Sequence, residues 1–248
     1  MKIFENKTAL VTGATSGLGS EIVKVLAIKG VQVIVHYNTN KEKAEKLVKE
    51  LNSSESFAIS EDFSEGDLDE VCEKFISNIV NKTKKIDFLI NNAADQSLDP
   101  DEIVDDVIIN KIMLTNVLAP QALVKACLPY FPKDSAIVNI TSVESEFPFP
   151  NHSLYASSKA ALKRYSELAA IELAEKNIRC NAVSPGLIYR EDLYQTWPDG
   201  LKKWNEKAPI KRPVSANEVA NTVSFLLSQE SSGITGTTIT VDGGWSVA

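Results

Sequence analysis

The chain has 248 residues, 44% of them hydrophobic and 24% charged, with 11 Gly and 10 Pro, an ordinary globular mix that excludes collagenous and low-complexity classes. Lys and Arg number 26 against 33 Asp and Glu, a net charge of −7 without a block of like charge, which argues against nucleic acid as a partner. Every apolar stretch is broken by Lys, Asn, Asp or Pro before the roughly 18 residues a bilayer span needs, and residues 1–11 lack the pattern of a secretory signal, so no membrane span and a cytoplasmic location are expected.

In chain order, β-branched runs at 8–12, 31–36, 57–60, 86–91, 136–141, 178–183 and 237–241 read as seven strands. Helical patterns at 17–29, 41–52, 67–81, 102–130, 155–175 and 216–228 alternate with them. Such alternation predicts an α/β fold, a mostly parallel sheet with helices on both faces. No linker, repeat or shift in composition divides the chain, so 1–248 is expected to be one domain. Residues 185–213 break the pattern with Pro198, Pro209, Trp197 and Trp204. About 187–212 is expected to form a substrate lid, an ordinary surface insertion or subunit contact being the alternative.

Between the first strand and first helix stands Thr12-Gly13-Ala14-Thr15-Ser16-Gly17-Leu18-Gly19. Glycines there let the backbone approach a pyrophosphate, whose charge the free N–H groups and dipole of the helix N-terminus attract. No Gly-Lys-Ser or Gly-Lys-Thr follows, which disfavours a nucleoside triphosphatase. Where an acidic residue would bond the ribose 2′-hydroxyl of NAD, the second strand ends in Tyr37, followed by Asn38, Thr39 and Lys41, which can donate to a 2′-phosphate. NADP(H) is therefore favoured, with NAD(H) the alternative. Asp62, followed by Phe63, is placed either to bind an adenine amino group or to cap the next turn. Cys72, Cys127 and Cys180 read as core thiols, and neither His36 nor His152 has metal-ligand spacing, so no catalytic metal is expected.

Tyr155 and Lys159 stand four apart at the start of a helix, which puts phenol and ammonium on one face. At about 4–5 Å and an effective dielectric near 20, the positive charge would favour a phenolate by roughly 3–4 kcal/mol, lowering the phenol towards a range useful for acid–base work. Ser142 ends the fifth strand, at the carboxyl edge where open α/β sheets bind ligands, and either polarises a carbonyl or caps a turn. Pro120 has no N–H to return to Asn116, whose carbonyl is then free to hold a water near Lys159, unless the proline simply breaks the helix. The chain lacks a Gly-x-Ser-x-Gly elbow and a Ser-His-acid set, which disfavours a hydrolase.

Over about 7–245 the chain resembles the short-chain dehydrogenase/reductase family. The resemblance is carried by Thr12-Gly13-x-x-x-Gly17-x-Gly19, Asp62, Asn91-Asn92-Ala93-Ala94, Asn116, Ser142, Tyr155-x-x-x-Lys159, Pro185-Gly186 and Val241-Asp242-Gly243-Gly244. It implies a single Rossmann domain, doubly wound around a seven-stranded parallel sheet, assembled as a homotetramer or homodimer through helices near 102–130 and 155–175. It also implies hydride transfer between a nicotinamide cofactor and a small carbonyl or secondary-alcohol substrate. In that scheme Tyr155 donates the proton, Lys159 lowers its pKa and binds the nicotinamide ribose, Ser142 polarises the carbonyl and Asn116 holds a relay water. Gly13, Thr15, Ser16, Gly17, Leu18 and Gly19 would line the pyrophosphate, Tyr37, Asn38, Thr39, Asp62 and Phe63 the adenosine. Asn92, Ala93 and Ala94 would form the cofactor floor, and Pro185, Gly186 and Ile188 would meet the carboxamide.

Ala94 replaces the family's usual glycine, and Arg190 stands where many relatives carry threonine. Arg190, Tyr194 and Trp197 are the substrate candidates, Arg190 as a fork for a carboxylate or phosphate. Within the family the chain looks closest to NADPH-dependent 3-oxoacyl-acyl carrier protein reductases and to glucose dehydrogenases. An NAD-linked sugar or polyol dehydrogenase is the alternative enzyme, and a catalytically silent cofactor sensor or scaffold the alternative of another class.

Overall fold

The computed structural model describes residues 4–97 and 105–248, apart from 52 and 54. Strands β1 (Thr8–Val11), β2 (Gln32–Tyr37), β3 (Phe57–Ser60), β4 (Phe88–Asn91), β5 (Ala136–Ile140), β6 (Arg179–Pro185) and β7 (Thr238–Val241) form one sheet in the order β3-β2-β1-β4-β5-β6-β7. All six pairings are parallel. The order runs outward from β1 in both directions, so β1 and β4 flank a topological switch point, where a crevice opens at the carboxyl ends of the strands. Every residue of β1, β4 and β5 is buried, which is why these strands read as unbroken β-branched runs.

Helices α1 (Gly17–Ile28), α2 (Lys41–Glu50), α3 (Leu68–Thr83), α4 (Asp106–Met113), α5 (Ala119–Cys127), α6 (Ser153–Leu173), α7 (Leu193–Thr196), α8 (Pro198–Lys207) and α9 (Ala216–Leu227) complete the chain. Successive strand residues feed opposite faces: Ala9, Val11, Val33 and Val35 pack with Ile22, Leu26, Val219 and Val223 of α1 and α9. Leu10 and Ile34 pack instead with Phe75, Ile79 and Leu123 of α3 and α5. Truncating a fully buried Leu10 to Ala removes such contacts and costs about 2–5 kcal/mol. The helix starts are capped as the side-chain chemistry requires, by Ser16, Asn40, Asp67, Asp105 and, in a reciprocal box with Glu218, Ser215. All three cysteines are buried, as expected of core thiols.

The helix expected over 102–130 differs in form. Its first residues, 102–104, lie outside the described residues, and the rest is α4, a π-helical turn (Leu114–Leu118), α5 and a final 3₁₀ turn. Pro120 cannot donate a helical hydrogen bond; the turn before it widens and Ala119 N–H reaches back to Leu114. Among the described residues, Asp106–Tyr130 is the helical run whose length and composition would suffice to cross a bilayer. Here Ala119, Ala122, Leu123 and Cys127 bury its inner face beneath the sheet.

The excursion after β6 is closed at its base, where Ile188 bridges Val214. Tyr189 N–H donates to Val214 O at 2.7 Å, and Val214 N–H to Leu187 O at 3.0 Å. Between these ends lie α7 and α8, a more helical insert than the residue pattern suggests. Trp204 of α8 lies flat on Trp245, centroids 4.8 Å apart and planes 4° from parallel, with Phe147 and Phe149 against the same indole. This stack anchors the insert to the segment that follows β5.

Candidate active site

The glycine loop between β1 and α1 is held from three sides. Ser16 caps α1 by accepting Gly19 N–H at 3.0 Å. Asn92, just past β4, donates through Nδ2 to Thr12 O at 2.8 Å and Gly13 O at 3.0 Å, while Thr12 Oγ1 accepts the N–H groups of Asn92 and Ala93. Gly13 has φ +59, and a Cβ there would stand 2.7 Å from the Ala93 backbone, so only glycine fits. Gly17 is the opposite case: a Cβ there would meet nothing within 4 Å. That open space at the first turn of a twelve-residue helix suits a pyrophosphate, and Thr15 and Leu18 flank it in the loop.

At the adenosine end, Asp62 accepts Ser64 N–H at 2.8 Å and Ser64 Oγ–H at 2.6 Å, so it caps the turn as one reading required. Partial burial pushes this carboxyl up, but bonds from Ser64 and Asn38 and the charge of Lys111 outweigh that and hold it below its usual value. Asn38 and Asp62 therefore meet, and Thr39 is exposed beside them. Tyr37 and Phe63 send their rings into the core, Phe63 stacking on His36 at 4.7 Å. Lys41 is exposed and pairs with Glu45 at 3.7 Å.

The reacting groups expected from the sequence come together where β5, α6 and the β4 loop meet. Ser142 follows β5 and caps the turn Val143–Ser145, accepting Glu144 N–H at 3.2 Å, while its hydroxyl also bonds the phenol of Tyr155. Lys159, one turn along α6, is 1% exposed, lies 5.7 Å from the Tyr155 ring centroid and donates to Ile140 O at 2.8 Å. Asn116, in the π turn, is fully buried: its Oδ1 accepts Asp95 N–H at 2.7 Å and its Nδ2 donates to Asp95 O and to Ser158 Oγ. Ser158 in turn donates to Tyr155 O at 2.7 Å, so the π turn, the β4 loop and the start of α6 form one hydrogen-bonded unit.

The electrostatics differ from the expectation that Lys159 lowers Tyr155. Burial pushes the Tyr155 phenol up to about 12, Glu144 adds to the rise, and bonds from Ser142 and Gln96 only partly oppose it. Burial likewise pulls the Lys159 ammonium down to about 7, so its charge is only partly present at neutral pH. Desolvation of both groups outweighs their mutual attraction.

Past β6, Gly186 N–H donates to Val241 O at 2.9 Å, and a Cβ on Gly186 would stand 2.7 Å from that of Asp242, which fixes the turn after Pro185. Ile188 packs on the core at the bridge to Val214, and Ala94 follows the Asn92 lock. The three substrate candidates lie in the segment after β6 and in α7 and its C-terminal end. Arg190 has a 64% exposed side chain whose Nε pairs with Asp192 at 3.0 Å. Tyr194 lines an outer groove with Pro198, Leu201 and Lys202, and Trp197 covers Gly200 at the α7–α8 junction.

Three neighbours of the reacting groups were not assigned to the site from the sequence. Gln96 Nε2 donates to Tyr155 Oη at 3.4 Å. His152 Nδ1 lies 2.8 Å from Glu144 Oε2, with its ring edge-on to Tyr155 at 6.3 Å. Their signal was adjacency: Glu144 stands two residues after Ser142, and His152 three before Tyr155.

Residues 13–246 match the family model described as enoyl-(acyl carrier protein) reductase. The chain is 36% identical over 251 residues to the 3-oxoacyl-(acyl-carrier-protein) reductase FabG of Staphylococcus epidermidis, with 96% of this chain and 98% of that protein covered. It is 35% identical over 248 residues to an L-xylulose reductase of Caenorhabditis elegans, covering 98% and 97%. The crystal structure of a short-chain dehydrogenase/reductase titled glucose/ribitol dehydrogenase, from Brucella melitensis, superposes with a TM-score of 0.91 at 28% identity over 99% of both chains. With the Rossmann sheet, the glycine loop and these full-length relatives, the chain belongs to the short-chain dehydrogenase/reductase family of nicotinamide-dependent oxidoreductases.

Proposed function

We propose that the protein is an NADPH-dependent carbonyl reductase of the 3-oxoacyl type, with Ser142, Tyr155, Lys159 and Asn116 handling the proton. The observation that carries this reading is the cluster around the buried Tyr155, whose phenol is bonded to Ser142 and Gln96 with Lys159 Nζ 5.7 Å from its ring centroid. Burial keeps this phenol protonated in the neutral range, so Tyr155 stands in the form that donates a proton during reduction. NADPH is favoured because the end of β2 offers Asn38, Thr39 and Lys41 and no carboxylate to repel a 2′-phosphate. Gly13, Thr15, Ser16, Gly17, Leu18, Gly19, Asn92 and Ala93 would hold the pyrophosphate and the adjoining ribose, and Pro185, Gly186 and Ile188 the carboxamide.

The nicotinamide, when bound, supplies the hydride. The chain's own work is then to orient a carbonyl and deliver a proton. Ser142 donates to the carbonyl oxygen and draws charge onto it, and Tyr155 gives that oxygen its proton. Lys159, titrating near 7, accepts a replacement proton at ordinary pH and returns it towards the phenolate. Asn116 keeps the π turn tied to the start of α6, and its main chain is the proposed holder of the relay water. Assembly as a homotetramer or homodimer is supported by exposed Leu118, Leu168 and Ile171 on the two helical segments expected to form its contacts.

The likeness to an L-xylulose reductase and to a glucose/ribitol dehydrogenase favours a second reading, an NAD-linked sugar or polyol dehydrogenase. Titration with NADPH and NADH, followed by consumption of each with β-ketoacyl thioesters, ketoses and diketones, separates the two. The first reading expects NADPH preference and turnover lost in Tyr155→Phe. Oxidation of polyols with NAD supports the second. Tight binding with no turnover across the panel points to a silent sensor, and binding of neither cofactor overturns both.

A further inference from the structure

We propose that His36 is a positioning residue that keeps the phosphate loop and the adenine-side turn in register, so that one imidazole spans both ends of the AMP-binding crevice. The inference rests on the cofactor reading above.

His36 is the fifth residue of β2, and its side chain points to the face opposite Val35 and Tyr37. Its ring is 2% exposed, stacked on Phe63 and set edge-on to Phe75 with centroids 5.4 Å apart. Gly13 N–H donates to Nδ1 at 3.0 Å. On the other side Nε2 lies 3.0 Å from Glu61 O. A main-chain N–H can only donate and a carbonyl can only accept, so the two partners select one neutral tautomer with its proton on Nε2. Burial agrees, pulling the imidazole down to about 4 and keeping it uncharged.

The two anchored atoms belong to different parts of the crevice. Gly13 opens the phosphate loop, and its far side is already closed by the Ala93 backbone and by Asn92 Nδ2 on Gly13 O, so His36 completes its enclosure. Glu61 precedes Asp62, whose carboxylate meets Asn38 where the adenosine is expected. The strand backbone repeats the tie, with Ala14 N–H donating to His36 O at 2.8 Å and Glu61 N–H to Tyr37 O at 3.2 Å. An aliphatic strand residue would fill the same volume but leave Gly13 N–H and Glu61 O without these partners. A histidine serving only the core would need packing alone; this one uses both nitrogens on the two loops that a dinucleotide would touch.

The test uses the full chain as wild type, His36→Asn, His36→Gln and His36→Leu. Asparagine can keep an acceptor near Gly13, glutamine can reach towards Glu61, and leucine can do neither. Dissociation constants are measured for NADPH, 5′-AMP and nicotinamide mononucleotide, with turnover at saturating cofactor on whichever panel carbonyl is reduced. The expected result for His36→Leu is roughly tenfold weaker binding of NADPH and AMP, with mononucleotide binding and saturated kcat within about twofold. His36→Asn and His36→Gln should fall between wild type and leucine, and they keep the test decisive if His36→Leu does not fold. Parallel losses of AMP, mononucleotide and kcat would mark general softening and overturn the positioning role, as would variants that bind like a cofactor-binding wild type. A wild type that binds no dinucleotide removes the cofactor reading, and this role falls with it.

Discussion

Lys159→Met should make the protein more stable at neutral pH while removing its activity. Lys159 is 1% exposed, and burial lowers its ammonium from 10.5 to about 7. Above pH 10.5 the side chain is neutral in both folded and unfolded chains and costs nothing. As the pH falls from 10.5 to about 7 the unfolded chain takes up a proton that the folded one refuses, so folding stability declines; below 7 both are charged and the penalty is constant. Three and a half tenfold steps at about 1.4 kcal/mol each amount to roughly 5 kcal/mol. Methionine fills a similar volume without charge but strands Ile140 O, which Lys159 Nζ bonds at 2.8 Å, at a cost of about 1–3 kcal/mol. The net gain at pH 7 is then about 2–4 kcal/mol, or roughly 4–16 °C in Tm for a chain of this size. Urea unfolding of both proteins at pH 7, 8.5 and 10 reads the difference. It should shrink steadily with rising pH, change sign between about pH 8 and 10, and by 10.5 leave only the cost of the stranded carbonyl. A difference that does not vary with pH, or a variant less stable at pH 7, would refute the desolvation argument.

Tyr155→Phe should lower kcat for carbonyl reduction by about 10²–10⁴-fold and leave the cofactor dissociation constant within about twofold, as initial rates and a binding titration will read. Alcohol oxidation needs the phenolate, so with Tyr155 pushed to about 12 its rate should climb with pH through 10; Glu144→Gln removes one cause of that rise and should move the profile to lower pH. Gly17→Ala places its methyl in open space at the start of α1, so Tm should hold or rise slightly, yet NADPH binding should weaken about tenfold or more because the backbone can no longer approach a pyrophosphate. Gly186→Ala drives a methyl to within 2.8 Å of the Trp204 ring and 2.7 Å of Asp242, which should cost about 1–3 kcal/mol in denaturant unfolding.

The strands and the glycine loop were legible because their causes are local. A strand buried on both faces must be apolar throughout, and a loop that approaches phosphate must lack side chains. The strand order was not legible in the local pattern, since pairing between β1 and β4 depends on chain returning across nearly eighty residues, and the resemblance supplied only a doubly wound parallel sheet. Proline at 120 announced a break in the long helix, but the π turn that resulted reflects α5 being held against the core by Ala122, Leu123 and Cys127. For Arg190 the residue type alone could not report its neighbour: Asp192, two residues on, pairs with its Nε at 3.0 Å on the exposed surface.

Tyr155 shows how burial enters electrostatics that residue spacing cannot report. Helical spacing reported that a cation stood four residues away, and that much is true of the structure. Spacing could not report how little water reaches either group, nor that Glu144, eleven residues earlier, folds back to within electrostatic reach. Desolvation acts on the two residues in opposite directions, raising the acid and lowering the base, so the pair is driven towards neutrality from both sides. A neutral phenol can donate a proton but cannot accept one, whereas a lysine titrating near 7 exchanges protons at ordinary pH. Under the proposed function Tyr155 is then the proton donor to a carbonyl, and alcohol oxidation at the same site would quicken as the pH rises towards the raised pKa of the phenol.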